Sequence, residues 1–383
     1  MDTIMPILNV LGWTSLMLAQ VGALYMVVAG SSAITAFKRA KRRSGSSPAV
    51  TIIKPLKGAQ EGLGEILERF CRQDYAGETQ ILFGVSDAND PAIGVVRALQ
   101  RRHPDFDIEL RIDPRIHGAN LKASNLINIV GAAKHNVLVL SDADIIVGPD
   151  YLRTVVDTLA EPGVGLVTCF YVGSERDGLW SQLSAMAINY QFIPGAVLGK
   201  TLGLAEPCFG STVAMRAHLL DRVGGFAAFA NHLADDYEIG RAVRSLGLTI
   251  AMPPMVVAHV CDEATAGQFA GRELRWGRAV RQINPWGYVG SIISYPLALT
   301  LIATALLGPL PLMLDLVAAT IVMRISFKLA FDAATGASAG RWWLIPVSDL
   351  LAFGLFVASF GINRVGWRGS SFRVSREGAL LQS

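Results

Sequence analysis

Three groups of carboxylates and one series of arginines are the residues of this chain best suited to chemistry. Val137-Leu138-Val139-Leu140 is wholly apolar and runs straight into Ser141-Asp142-Ala143-Asp144. Two carboxylates one residue apart at a strand end can grip a divalent cation, which in turn neutralises the phosphates of a nucleotide diphosphate. Surface turns also produce Asp-x-Asp triplets, and it is the apolar strand ahead of this one that favours a site. Upstream, Asp87 and Asp90 in Ser86-Asp87-Ala88-Asn89-Asp90-Pro91 form either an ordinary Asx turn or a second acidic cluster at the same edge of a sheet. Downstream, Asp235 and Asp236 stand at a helix start after Gly224-Gly225-Phe226. They are either capping residues favoured by the helix dipole or the source of a general base not committed to metal. Last, Arg272, Arg275, Arg278 and Arg281 recur every third residue, with Phe269 and Trp276 among them. One reading is a helix lying on anionic lipid; the sharper one is that Arg272 and Arg275, with Trp276, close over a pyrophosphate leaving group. One helix can do both.

The segments between these groups alternate in period. Ala49 to Ile53 reads as a strand, 61 to 72 carries Leu63, Ile66, Leu67 and Phe70 at helical spacing, and Ile81 to Val85 returns to strand. Helix 92 to 102, strand Ile108 to Ile112, helix 120 to 134 and strand Val137 to Leu140 continue the rhythm. Such βαβ order predicts an α/β fold with a mostly parallel sheet, and ligands bind beyond the carboxyl ends of such strands. His259 reads as a packed or hydrogen-bonded histidine rather than a third metal ligand.

Composition places this block beside a membrane. Of 383 residues 51% are hydrophobic and only 17% charged, which excludes a disordered or fibrous chain. Charge is absent from Thr3 to Phe37 and again from Gln282 to Leu314, and each run exceeds the roughly 20 residues that span a bilayer. Ile7 to Gly30 is expected to span. Lys38, Arg39, Lys41, Arg42 and Arg43 follow at once, which by the positive-inside rule puts the next domain in the cytoplasm. A second span is expected over Tyr288 to Leu314. Beyond it, 316 to 334 carries Arg324 and Lys328 and 342 to 362 carries Asp349, so one of these lies in the interface or faces a protein interior. Trp342-Trp343 suits an interfacial belt. The tail, with Arg364, Arg368, Arg373 and Arg376, is expected in the cytoplasm too, giving two or three C-terminal spans. The expected organisation is thus a membrane helix over 1–37, a basic linker over 38–48, a catalytic domain over 49–265, a basic interfacial helix over 266–287, spans over 288–363 and a tail over 364–383. A net charge of +3 is too small to argue for nucleic acid. Cys71, Cys169, Cys208 and Cys261 form no CxxC pair and are expected to be reduced.

Taken in order, Asp87/Asp90, Asp142-Ala143-Asp144, Asp235-Asp236 and Arg272-Glu273-Leu274-Arg275-Trp276 resemble the ceramide glucosyltransferase family, in which three acidic sites precede a (Q/R)xxRW motif. Lys54-Pro55-Leu56-Lys57-Gly58, Asp90-Pro91-Ala92-Ile93, Gly118-Ala119-Asn120-Leu121-Lys122 with Asn125-Leu126, and Gly225-Phe226-Ala227-Ala228-Phe229-Ala230 are similar to its patterns too. The likeness runs from Thr51 to about Asn284. It implies a GT-A domain, Rossmann-like with a mostly parallel sheet, held between membrane helices, and an inverting transfer from a UDP-sugar to a lipid hydroxyl.

Carried over residue by residue, the resemblance gives Asp87 and Asp90 the uridine end, with Lys54 and Lys122 also on the nucleotide sugar. Asp142 and Asp144 would serve a Mg²⁺ or Mn²⁺ ion and the sugar diphosphate, with Asp144 the more direct ligand. Asp236 would be the general base, and Arg272, Arg275 and Trp276 the (Q/R)xxRW set. Animal members tend to lack the second Asp of the DxD, so the chain resembles the bacterial branch at an inner membrane. That branch includes enzymes acting on hopanoids, so the motifs leave the acceptor open between ceramide and a hopanoid, and the sugar open as well. A processive polysaccharide synthase shares the logic of three aspartates and xxRW, but few spans are available for a polymer tunnel. A transferase acting on a polyprenyl phosphate is a second rival. A scaffold without activity would be expected to lack one of Asp142, Asp144, Asp236 or Arg275, and all four are present.

Overall fold

The computed structural model describes residues 4–37, 45–361, 364–367, 370–374 and 380–382. The basic cluster Lys38 to Arg43, and Arg368 and Arg376 of the tail, lie outside the described residues. The chain divides into two compact units. One holds residues 39–171 and 206–260 with the last residues of the chain; the other holds 1–38, 172–205 and 261–373.

The first unit is built on strands β1 (Val50–Pro55), β2 (Thr79–Val85), β3 (Asp107–Ile112), β4 (Val137–Leu140), β5 (Ile145–Ile146), β6 (Val164–Val167), β7 (Phe170–Glu175), β8 (Val213–Arg216), β9 (Thr249–Ala251) and β10 (Val256–Cys261); β7 and β10 run on across the unit boundary. Seven of them form one sheet in the order β3-β2-β1-β4-β8-β6-β9. β1 to β4 are mutually parallel, β8 runs antiparallel to both β4 and β6, and β9 is parallel to β6. Strands β1 and β4 are buried along their whole length; β4 is unbroken apolar sequence, as a strand covered on both faces demands, while β1 carries Thr51, which donates to Gln80 at 2.8 Å, and Lys54 among its apolar residues. Helices Leu63–Cys71, Ala92–Arg102 and Leu121–Val130 alternate with them, within two or three residues of where the apolar spacing puts them, apart from the early end of the last. β1 runs on through Lys54 and Pro55, where a proline is tolerated because it ends the strand. Leu82, Leu126, Ile129, Leu138, Met215, Phe226 and Ile239 are among the residues of the core.

The second unit is helical. One helix, Met5–Phe37, is long and apolar enough to cross a membrane, and Val10, Trp13, Met17 and Leu24 stand more than half exposed along it. The single span expected over Tyr288 to Leu314 is broken. Pro285–Ser294 and Pro296–Leu307 meet at a bend of 70°, and a new helix, Pro311–Thr335, starts at Pro311. Pro296 cannot donate its backbone N–H, which ends the preceding helix there. Helices Pro311–Thr335 and Ile345–Ala358 follow, and Arg364–Trp367 pairs antiparallel with Ser370–Val374.

The catalytic block is not the continuous 49–265 that the sequence suggests. Residues 172–205 leave it and belong with the helices of the second unit. They form helix Leu179–Ala187, a π turn over Ile188–Phe192 and helix Ile193–Thr201. The signal was present: no charge lies between Asp177 and Lys200. The charges that the sequence singled out in the C-terminal helices, Arg324, Lys328 and Asp349, are buried in this unit. Arg324 is fully buried and meets both oxygens of buried Asp349 at 2.7 Å, and Lys328 lies 2.6 Å from Asp332. None of the four cysteines is in a disulfide.

Candidate active site

The Asp142-Ala143-Asp144 turn sits where β4 ends. Below it, the fully buried Lys54 at the end of β1 donates to the Asp142 carbonyl at 2.8 Å and to Ser141 Oγ at 3.3 Å, its ammonium 3.7 Å from the Phe70 ring centroid. Lys54 therefore supports the turn from beneath and has no surface left for a nucleotide, a correction to the expectation from the sequence. Burial pulls its ammonium down to about 7, against the opposing pull of Asp142 and Asp144.

Beyond the turn, β5 pairs with β10 so that Ile145 faces His259. This register brings His259 Nδ1 to 3.6 Å from Asp144 Oδ1, while the imidazole packs on Tyr171 at 5.9 Å between centroids. Burial works to raise the Asp144 carboxyl, but His259 outweighs it and holds the group down at about 2. Asp144 Oδ1 is buried without a hydrogen-bond donor.

Opposite lies Lys122, in the first turn of helix Leu121–Val130. Asn120 caps that helix through its side chain, which accepts from Ala123 N. The same Asn120 donates its Nδ2 to His232 O at 2.9 Å and its backbone N–H to Ala230 O. Gly118 passes so close to the Ala230 carbonyl that a Cβ has no room. The Gly-x-Asn-x-Lys string thus ties the Lys122 helix to the segment leading into helix Asp235–Ser245. Asp235 and Asp236 open that helix, the former buried and the latter half-buried.

These side chains converge on Gly210. The antiparallel pairing of β8 with β4 sets Leu140 opposite Val213, so the turn before β8 lies beyond the end of β4. Thr168 locks that turn through paired hydrogen bonds with Phe209. Gly210 N donates to Asp236 Oδ2 at 2.7 Å. A Cβ at Gly210 would stand 2.9 Å from Asp142 Oδ2, 2.9 Å from Lys122 Nζ and 3.4 Å from Asp236 Oδ2. Lys122 Nζ meets Asp142 Oδ1 at 2.5 Å and Asp235 Oδ2 at 4.0 Å. Burial works against its charge, yet Asp142, Asp235 and Asp236 together raise its affinity for the proton. Asp236 responds the other way: burial, then Asp235, push its carboxyl up to about 6, in spite of Lys122.

Asp87 and Asp90 follow β2 at the same edge. Asp87 is exposed and accepts only locally, from Asn89 N. Asp90 takes the Gly58 N–H on both oxygens, at 3.0 and 2.8 Å, and also that of Ala92. Gly58 adopts φ +74°, which a β-carbon disfavours. Asp90 therefore holds the Lys57-Gly58 turn. A buried residue that entered the sequence reading only as part of a family-like string, with no role, helps from inside: Asn125 donates to Gly84 O at 2.9 Å, with its amide filling the space that a side chain at Gly84 would need. An asparagine on the buried face of a helix was the signal for it.

The arginine series lies in the other unit, on helix Ala266–Ile283, which opens with a Thr265/Gln268 capping box. A spacing of three drifts by about 60° per step, so four arginines spread over half the helix circumference and do not form one lipid-facing stripe. Arg272 and Arg278 are buried, and Arg281 donates to Ser359 O. Arg272 is committed within its own unit: Glu263 at 3.1 Å, Glu273 at 2.9 Å, Ser184 O at 3.0 Å and the Trp276 ring at 5.0 Å surround it. It is not available to a pyrophosphate. Arg275 and Trp276 are half-buried.

A divalent cation fits the donor set at the DxD turn. Among the described residues no group of three or more His, Cys, Asp or Glu side chains is placed to hold a metal ion, so an ion here would need ligands from a bound diphosphate as well. The donorless Asp144 Oδ1 suits direct ligation, whereas Asp142 is engaged by Lys122.

Comparison with known proteins bears on the fold and the family. The mannosyltransferase PcManGT from Pyrobaculum calidifontis, solved in complex with GDP-Man and Mn²⁺, has a TM-score of 0.52 at 20% identity over 89% of this chain and 98% of that one, and it shows the fold to be GT-A. Ceramide glucosyltransferase 1 of Caenorhabditis elegans is 26% identical over 230 residues, 60% of this chain and 49% of that protein. An N-acetylglucosaminyltransferase of Bradyrhizobium diazoefficiens is 25% identical over 242 residues, 61% of this chain and 49% of that one. The chain spans about half the length of the curated relatives it matches. The profile described as glycosyl transferase family 21 covers residues 14–380, so the chain belongs to that family.

Proposed function

We propose that the protein transfers one sugar from a UDP-sugar to the hydroxyl of a membrane lipid, with ceramide as the acceptor. The observation that carries this reading is the convergence of Asp142, Lys122 and Asp236 on Gly210, beside an Asp144 oxygen that has no donor. In an inverting displacement the acceptor oxygen bonds to the anomeric carbon while the bond to the β-phosphate oxygen breaks and UDP departs with the electron pair. Asp236 takes the acceptor proton. Its elevated pKa makes it a stronger base than an exposed aspartate while leaving it ionised near pH 7. Lys122 is the cation beside the leaving phosphates, moving off Asp142 when they arrive. A Mg²⁺ or Mn²⁺ ion on Asp144, with Asp142 beside it, would neutralise further charge on the diphosphate. Asp87 meets the uridine end directly, and Asp90 shapes the turn at Gly58 next to it. Arg275 and Trp276 keep the leaving-group role that the family likeness gives them, with Arg272 bracing Trp276.

The apolar helix Met5–Phe37 and the cations that follow it support an integral protein with its catalytic unit on the cytoplasmic face of a bacterial inner membrane. A second reading, transfer of N-acetylglucosamine or another sugar to a hopanoid, draws support from the Bradyrhizobium relative. One assay decides: the protein in detergent with Mg²⁺ or Mn²⁺, a panel of UDP-sugars, and ceramide and a polyol hopanoid together. Mass spectrometry then reads which lipid gains which sugar. A polymer ladder, or UDP released with no lipid product, would overturn both readings.

A further inference from the structure

In the second unit, the helical run from Leu179 to Thr201 is interrupted by one π turn, closed by the Ile193 N–H donating to Ile188 O. Such a turn inserts a residue into the helix and persists only where its surroundings fix it. Here four consecutive side chains have four different partners. Asn189 exchanges a pair of hydrogen bonds with the backbone of Gly173. Tyr190 accepts through its hydroxyl from Lys328 Nζ and donates to Asp332, and its main-chain carbonyl accepts from Arg324 Nη2 at 3.1 Å. Gln191 donates to Asp349 Oδ1 at 2.9 Å, the carboxylate that also holds Arg324. Phe192 turns away from this cluster and stacks on Trp276, 6.1 Å between centroids. One helical turn earlier on the N-terminal side, Ser184 O accepts from Arg272. The run therefore touches the Arg-x-x-Arg-Trp segment at two points, and the second depends on the extra residue of the π turn.

We propose that the Arg324–Asp349 pair is a positioning device for the Arg-x-x-Arg-Trp segment: it holds the π turn that presents Phe192 to Trp276. Arg324 supplies a donor to a main-chain carbonyl of the widened turn, Asp349 neutralises it and fixes Gln191, and Phe192 carries the constraint to Trp276. The inference deepens the transferase reading by adding residues that touch no substrate.

The test uses the full chain in detergent micelles. Replacing both members by apolar residues, Arg324→Met with Asp349→Leu, removes the donor without leaving a buried charge unpaired. Amide hydrogen exchange in peptides covering 186–194 and 268–280 is expected to speed up at least about tenfold in both, with Pro296–Leu307 unchanged. Phe192→Ala, at a half-buried position that leaves the charges intact, is expected to speed exchange in 268–280 alone. In the transfer assay both variants are expected to lose about 10-fold to 100-fold in kcat with KM for the UDP-sugar within about twofold, because alignment and not donor binding is lost. Unchanged exchange in 268–280 in either variant, or a loss confined to KM, would overturn the proposal. The exchange arm needs no substrate, so an inactive wild-type chain would sink the transferase reading and leave the exchange result to decide this one.

Discussion

Two of the buried charge clusters among the described residues, one in each unit, differ in how completely the charges are paired. In the helical unit Arg324 and Asp349 satisfy each other through two short hydrogen bonds, with Arg324 also donating to Tyr190 O and Asp349 accepting from Gln191. In the sheet-based unit Asp142, Asp144, Asp235 and Asp236 are served by Lys122, Lys54 and His259, and oxygens of Asp144 and Asp235 lack a donor. Side chains of Asp142 and Asp144 are also about a third exposed, against 0% and 2% for Arg324 and Asp349. A closed cluster has no capacity left for a ligand and serves architecture. An open one is a surplus of acceptors waiting for a cation, a phosphate-bound metal or a proton.

Breaking the open cluster should cost chemistry and leave the fold. Asp236→Asn keeps the acceptor for Gly210 N and loses the base, so transfer is expected to fall by about 10³, within the range for losing a general base, while UDP affinity by calorimetry stays within about threefold. Full activity in this variant would remove Asp236 from the mechanism. Breaking the closed cluster should cost stability as well as the alignment of the Arg-x-x-Arg-Trp segment. Asp349→Ala leaves a buried guanidinium without its counter-ion and is expected to destabilise the protein by about 3–5 kcal/mol. Thermal unfolding in detergent reads this, and an unchanged melting temperature would show the pair to be dispensable to the fold.

The two clusters were not equally legible in the sequence. Strand β4 running into Asp142-Ala143-Asp144 could be read because four apolar residues and two acids are contiguous, and local pattern alone sets their placement. The same holds for Asp235-Asp236 at a helix start. Arg324 and Asp349 could be read only as charges in apolar segments, since they lie 25 residues apart and Arg324 also reaches Tyr190 O, and pairing at that distance is a tertiary fact; Lys328 and Asp332, one helical turn apart, were a pair that the spacing did hold. Lys54 misled for a related reason: a lysine at a strand end is normally free to reach a ligand, and only the packing of Phe70 and the Asp142 carbonyl around it shows otherwise. Arg272 is the same case, drawn inward by Glu263, which a motif spacing does not contain. The departure of residues 172–205 from the sheet-based unit was written in their lack of charge, but an uncharged run inside an α/β block reads equally well as core.

Gly210 gives a smaller and more local way to sharpen the contrast. A Cβ placed there would stand within 3.4 Å of Asp142, Lys122 and Asp236. Gly210→Ala is expected to displace Lys122 and Asp142 and lower kcat/KM by about 10-fold to 100-fold, the scale of a small misplacement at the reacting groups. The far ends of those side chains can give way, so the melting temperature is expected to change little. Steady-state kcat/KM beside a thermal melt separates the two, and a variant that melts early with kcat/KM intact would show the glycine to be a folding requirement.

The mildest perturbation is a change of pH, and it addresses only the open cluster. In the proposed mechanism Asp236 acts when ionised, and burial with Asp235 lifts its carboxyl from the ordinary aspartate range to about 6. Above that value the base is present and kcat/KM should be level. Below it the group protonates in the free enzyme and kcat/KM should fall tenfold per pH unit, about 1.4 kcal/mol at pH 5. Lys122 opposes the shift, so Lys122→Met removes a positive charge that favours the carboxylate and should move the inflection to higher pH, besides weakening donor binding. Asp235→Asn removes the like charge and should move it lower. If the inflection stays at one pH across these variants, the titrating group is not Asp236, and the proton must leave the acceptor by another route.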